Sequence, residues 1–170
     1  ALARLERTGV VNEDTARKIG MVGMAARASG LYRDIRLSHP HDYFETVSYN
    51  PVVLNSGDVY ARARIRMEEI PESIDYMIEL LNLAPKQEKS YPDLGAPESD
   101  SFVISLVEGW RGEICHTAIT GEDGELIIYK VKDPSFHNWL ALALAVRNND
   151  ISDFPICNKS FSLSYCGHDL

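Results

Sequence analysis

Two stretches decide the fold class: Ile114-Cys-His-Thr-Ala-Ile-Thr120 and Leu126-Ile-Ile-Tyr-Lys-Val-Lys132, separated by Gly121-Glu-Asp-Gly124. β-Branched and aromatic residues on both sides of a short, turn-forming loop predict a β-hairpin. Upstream, Phe102 to Val107 is also strand-like, whereas the signals before residue 84, a short helix near the start and the stretch from Asp58 to Leu83, are helical. Helices first and a small antiparallel sheet later make an α+β chain, mainly helical.

Working outward, Asp58 to Leu83 is the longest helical signal. Ile70, Ile74, Met77 and Leu81 recur at helical spacing, with Ala63, Met67 and Ile78 around them, and Asp58 is placed as the N-cap. Pro71 lacks a backbone donor and clashes with the preceding turn, which predicts a kink or restart near Ile70. Residues 84–101, rich in Pro, Lys, Glu and Ser, read as an exposed loop. Near the start, Thr8 or Asn12 caps a short helix through Ala16, Ile19 and Val22. The stretch Gly20-Met-Val-Gly-Met-Ala-Ala-Arg-Ala-Ser-Gly30 is small enough for other backbone to approach closely. After the hairpin, Asp133-Pro134-Ser135 opens a helix with Trp139, Leu142, Ala143 and Val146 on one side. The tail from Ser152 to Leu170, with Pro155 and Gly167, reads as irregular.

Composition narrows function. At 170 residues and 45% hydrophobic, the chain suits a single domain, and its formal net charge of -8 disfavours nucleic acid. No apolar run is long enough to span a bilayer, so any membrane contact is expected through another subunit. Ala1-Leu-Ala-Arg-Leu-Glu-Arg7 has neither a secretory h-region nor an initiator Met, which points to a processed or cut chain. Three cysteines, Cys115, Cys157 and Cys166, form no disulfide framework and favour a reducing compartment.

Few residues carry chemistry on their own. Arg27, Asp34 and Arg36 read most simply as a solvated ion-pair patch. Glu108-Gly-Trp-Arg-Gly112 places an acid and a guanidinium at a strand end, suited to a cavity or to a structural ion pair. His39, His41, His116 and His137 lack partners at ligand spacing, and Cys166-Gly-His168 is a weak metal signal.

Taken in order, eight blocks resemble the C-terminal half of a large-subunit superfamily. It unites nickel–iron hydrogenases, the D-type subunit of respiratory complex I (NADH-quinone oxidoreductase) and formate hydrogenlyase-type enzymes. The blocks are Thr8-Gly-Val-Val11 with Glu13 and Ala16; Gly20-Met-Val-Gly23; Ala26-Arg-Ala-Ser-Gly30 with Asp34 and Arg36; Gly57-Asp-Val-Tyr-Ala-Arg62 with Arg66 and Glu69; Glu108-Gly-Trp-Arg-Gly112 with His116; Asp133-Pro-Ser-Phe136 with Asn138-Trp139; Asp153-Phe-Pro155; and Lys159-Ser-Phe161 running to Asp169. The resemblance implies that Glu108 and Arg111 line a cavity, Arg111 as its cation and Glu108 orienting it or relaying protons. Arg27, Asp34 and His116 become candidate substrate-binding residues. Ser164 and Gly167 stand where the family's hydrogenases carry nickel-ligating cysteines, so no metal is expected on this chain. Leu170 stands where a terminal arginine is typical.

The resulting expectation is a piece of a membrane-associated electron-transfer oxidoreductase subunit. It would lie on the cytoplasmic face, beside an iron–sulfur small subunit and membrane subunits, with quinone as a ligand of the full complex. No cofactor is expected on this chain, and no turnover from it alone. Two other readings are a non-catalytic assembly module and a hydrogenase using Cys157 and Cys166 as metal ligands.

Overall fold

The computed structural model describes residues 2–47, 49–83 and 95–165, with only the backbone given at Asp42. The chain is α+β. Helices α1 (Glu13–Lys18), α2 (Gly23–Ala28), α3 (Ile35–Ser38) and α4 (Val59–Leu83) precede strands β1 (Phe102–Gly109), β2 (Gly112–Thr120) and β3 (Leu126–Lys132). Helices α5 (Ser135–Ala145) and α6 (Phe154–Phe161) follow.

Helix α2 lies at the centre, with every residue from Gly23 to Ala28 buried. Its alanines allow close packing against α4, where Ala61 and Ile65 join Met24 and Ala28 in one apolar cluster. On its other side Ala25 and Ala26 share a core with Val11, Ala16, Met21, Leu142, Ala145 and Phe161. The expected first helix forms with Asn12 as its cap, the side-chain oxygen accepting from Thr15 N. It stops at Lys18, so Ile19 and Val22 lie beyond it. Gly20, at φ +70°, turns the chain there.

Asp58 starts α4, Oδ1 accepting from Ala61 N at 2.8 Å, while Oδ2 accepts from Arg7 N at 2.9 Å. The helix then runs unbroken through Pro71, without the expected restart near Ile70. Pro71 removes a single hydrogen bond where the helix surface is open to water, so the freed carbonyl can be hydrated. Met67, Ile70, Ile74, Met77, Ile78 and Leu81 do form one stripe, but all are exposed. Periodicity identifies the apolar face without identifying a cover for it.

The sheet is antiparallel in the order β1-β2-β3. The predicted hairpin is β2–β3, turning through Gly121 to Gly124. A second, tighter hairpin joins β1 to β2 and has no counterpart in the sequence reading. Gly109 pairs with Gly112, which leaves Trp110 and Arg111 as a two-residue turn.

Asp133 Oδ1 accepts from Ser135 N at 2.6 Å and starts α5. The buried side of α5 is Ser135, Asn138, Ala141, Leu142 and Ala145; Ala143 faces outward. The tail is not wholly irregular, since α6 occupies residues 154–161. Pro155 sits in its first turn, where a missing N–H costs nothing. Of the expected 84–101 loop, residues 84–94 lie outside the described residues, and 95–100 are exposed.

The sheet meets the helices closely at one glycine pair. Gly23 begins α2 at φ +64°, and a Cβ there would strike Gly112 Cα and Arg111 O. Gly23→Ala should therefore cost about 3 kcal/mol, combining left-handed strain with a backbone clash. Gly20→Ala, at similar φ but with nothing within 4 Å, should cost only about 1 kcal/mol. Chemical denaturation of both variants checks the difference; equal losses would contradict the contact.

Candidate functional site

The site is built around one buried guanidinium. Arg27, in the last turn of α2, is 2% exposed and faces three carboxylates from three other elements. Its Nη1 donates to Asp34 Oδ2 at 2.9 Å and to Glu108 Oε1 at 3.2 Å. Its Nε and Nη2 donate to the two oxygens of Glu69, each at 3.1 Å, in a bidentate fork. Asp34 is the N-cap of α3 and also accepts from Arg36 N, Nε and Nη2. Tyr49 donates its hydroxyl to Asp34 Oδ2 at 3.3 Å. Glu108, near the end of β1, accepts from Ile35 N through Oε2 at 3.1 Å. The Arg36 guanidinium lies 4.2 Å from the Tyr49 ring centroid, completing the layer.

Arg27, Asp34 and Glu108 are thus brought together, and the solvated patch expected for Arg27, Asp34 and Arg36 is corrected. Asp34 is 1% exposed, and the other acids that meet Arg27 (Glu69 and Glu108) come from distant parts of the chain. Glu69 is the residue that sequence reasoning left without a role. The signal for it was its spacing: Ala61, Ile65 and Glu69 fall four apart, and the first two are buried.

Arg27 and Arg36 face Asp34, Glu69 and Glu108 in this cluster, and Arg66, which lines the same cavity, also feels the Glu69 charge. Burial raises the Glu108 pKa, Asp34 raises it further, and Arg27 only partly offsets them. Burial likewise raises Glu69 against the opposing pull of Arg27. For Arg27 itself burial alone would lower the pKa, but Glu69, Asp34 and Glu108 together raise it. The guanidinium stays charged, and Glu69 and Glu108 each bind a proton more readily than a free carboxylate does.

A cavity of about 430 Å³ opens beside the cluster. Arg27, Arg36, Glu69 and Glu108 form its polar floor, and Ile70, Ile74, Met77 and Trp110 its apolar wall. Such a space suits an amphiphile with a polar head.

The other predicted residues lie elsewhere. Arg111 does not line this cavity; its Nε donates to Ser162 O, while Arg66 lines the edge. His116 sits mid-strand in β2, its Nδ1 hydrogen-bonded to the Tyr129 hydroxyl. Ser164 N donates to Ser135 Oγ at 3.0 Å. Gly167 and Cys166 lie outside the described residues. Cys157 is fully buried against Gly9, and burial raises its thiol pKa. Among the described residues no thiol lines the cavity, so these residues do not fit a thiolate-held nickel–iron pair.

The raised acids make a pH prediction. Glu108 and Glu69 hold protons more tightly folded than unfolded, so their contribution to stability is full below 4.5 and is lost as pH rises through their folded values. Glu108→Gln removes one of these contributions. From pH 4.5 upward the denaturation midpoint of the parent chain should fall relative to that of the variant; parallel profiles would contradict a raised Glu108.

Comparison with known proteins agrees with this fold. The family described as "Respiratory-chain NADH dehydrogenase, 49 Kd subunit" matches residues 1–94. The NADH-quinone oxidoreductase subunit named C/D in Phocaeicola vulgatus is 38% identical over 66% of this chain and 22% of its own length. The one named D 1 in Chloroherpeton thalassium is 31% identical over 91% of this chain and 41% of its own length. A chain of the membrane-bound sulfane sulfur reductase, an archaeal respiratory membrane complex, shares the fold with a TM-score of 0.84 at 23% identity. That match covers 98% of this chain and 46% of the other. The chain spans less than half the length of each of these relatives. No helix among the described residues is long and apolar enough to cross a membrane. The chain belongs to the family of the 49 kDa subunit of respiratory-chain NADH dehydrogenase.

Proposed function

We propose that this chain forms part of a subunit of a membrane-associated electron-transfer oxidoreductase, in which it shapes a redox cavity. The observation that carries the reading is the Arg27–Asp34–Glu69–Glu108 cluster flooring an apolar-walled space. An iron–sulfur small subunit would supply electrons from the open side, and membrane subunits would hold the assembly at the cytoplasmic face. A quinone is the ligand that best matches a polar floor and an apolar wall of this size; it would supply the two-electron, two-proton chemistry. In this reading the chain carries no nickel–iron site, and on its own it turns nothing over.

The residues present can do three things. Ile70, Ile74, Met77 and Trp110 offer the ligand an apolar wall. Arg27, pinned by three acids, keeps the floor rigid without a change of charge. Glu108 and Glu69, whose pKa values are raised by burial, stand next to the cavity, where either in its protonated form could pass a proton to a reduced head group.

Glu108→Gln in the assembled complex separates this reading from that of a purely structural module. Electron transfer should fall by roughly tenfold or more, in line with general acid–base contributions, with assembly unchanged. Its pH profile should flatten as well. Intact turnover in an intact complex would overturn the redox-cavity reading, whereas loss of assembly would favour the module.

A further inference from the structure

A second charge arrangement lies at the cavity edge, and it is of the opposite kind. Arg66 donates through Nη1 to Arg62 O at 3.1 Å and through Nη2 to Phe161 O at 3.4 Å. Arg111 donates through Nε to Ser162 O. The two side chains thus converge on consecutive carbonyls at the C-terminal end of α6, and the Arg66 guanidinium lies 5.5 Å from the Trp110 ring centroid. Among the described residues neither has a carboxylate within salt-bridge distance. Arg27 and Arg36, by contrast, are both ion-paired.

Behind them is a third guanidinium without an ion pair among the described residues. Arg62 is 0% exposed and is saturated by Ser160 Oγ, Gly57 O and Gly9 O, with Phe161 stacked at 4.1 Å. Its nitrogens are all engaged, so it is a structural pin. It still adds its charge: burial lowers its pKa to about 10 against the opposing pull of Cys157 and Asp58, with a further lowering from Arg66. Arg66 in turn is lowered by burial and by Arg111, with only a partial opposing pull from Glu69. Three like charges therefore stand in line within a chain whose formal net charge is -8. Neutral carbonyls orient Arg66 and Arg111 but do not cancel them, and among the described residues most of their N–H donors have no acceptor.

We propose that Arg66 and Arg111 form an anion site that takes a small oxyanion group, phosphate, sulfate or carboxylate, at the rim of the cavity. Forked guanidiniums match the geometry of such groups. The oxyanion arrives in one of two forms: free in solution, or as the head of an amphiphile whose tail lies along Trp110 and Ile70. This site stands whether or not the cavity takes a redox ligand.

Calorimetric titration of the 170-residue chain at constant ionic strength, with inorganic phosphate as probe, tests it. Saturable binding to one site is expected. Arg66→Gln and Arg111→Gln should each weaken it about tenfold, the loss typical of one charge-assisted hydrogen bond. Arg64→Gln removes an exposed charge from the same helix and should leave binding unchanged. Circular dichroism identifies any variant that fails to fold; in that case Arg111→Lys, which keeps the charge and loses the fork, gives the same readout. Hexyl phosphate distinguishes the two sources, binding more tightly than phosphate if the tail has a place and equally if it does not. Absence of saturable binding, or equal weakening by Arg64→Gln, overturns the proposal.

Discussion

A guanidinium removed from water must find compensating charge, and that constraint organises this chain around Arg27. Its three carboxylate partners come from α3, α4 and β1, which are separated from it in sequence by up to 81 residues. Buried ion pairs add little net stability when desolvation is counted, yet removing one partner leaves a charge stranded in a low-dielectric interior. The cluster therefore acts less as glue than as a specification. Only the arrangement that brings Asp34, Glu69 and Glu108 to Arg27 avoids an unpaired buried charge.

The rest of the fold brings those groups into place. Small residues in α2 let it approach α4 closely, which puts Glu69 opposite Arg27. Gly23 and Gly112 let the β1–β2 hairpin reach the start of α2, which carries Glu108 inward. Asp34 caps α3 with one oxygen and meets Arg27 with the other, so local helix initiation and long-range pairing use the same side chain. Because the acids are buried together, the pKa values of Glu69 and Glu108 are raised beside the cavity.

Much of the architecture is legible in the sequence. The change of period between Leu83 and Phe102, the Gly121–Gly124 turn and the Asp58 and Asn12 caps each follow from local physics. What fails are inferences that need distant partners. Nothing near Arg27 or Asp34 in sequence reveals that Glu69 and Glu108 will bury them, so they resemble a solvated patch. Pro155 suggests irregularity because its tolerance depends on falling in a first turn, a matter of one or two residues. The stripe on α4 is apolar as its spacing indicates, but periodicity carries no information about what lies against it. Ordered family blocks single out Glu108 and Arg111 together, whereas the structure separates them: Glu108 faces Arg27, and Arg111 turns to the end of α6.

The most direct measurement is a double-mutant cycle in denaturant using Arg27→Gln, Glu108→Gln and the pair. If the cluster is the constraint described, Arg27→Gln alone is severely destabilising, and adding Glu108→Gln recovers part of the loss. The two sites should then couple by about 1–3 kcal/mol. Strict additivity would mean that the two side chains do not sense each other, contradicting a site built on Arg27.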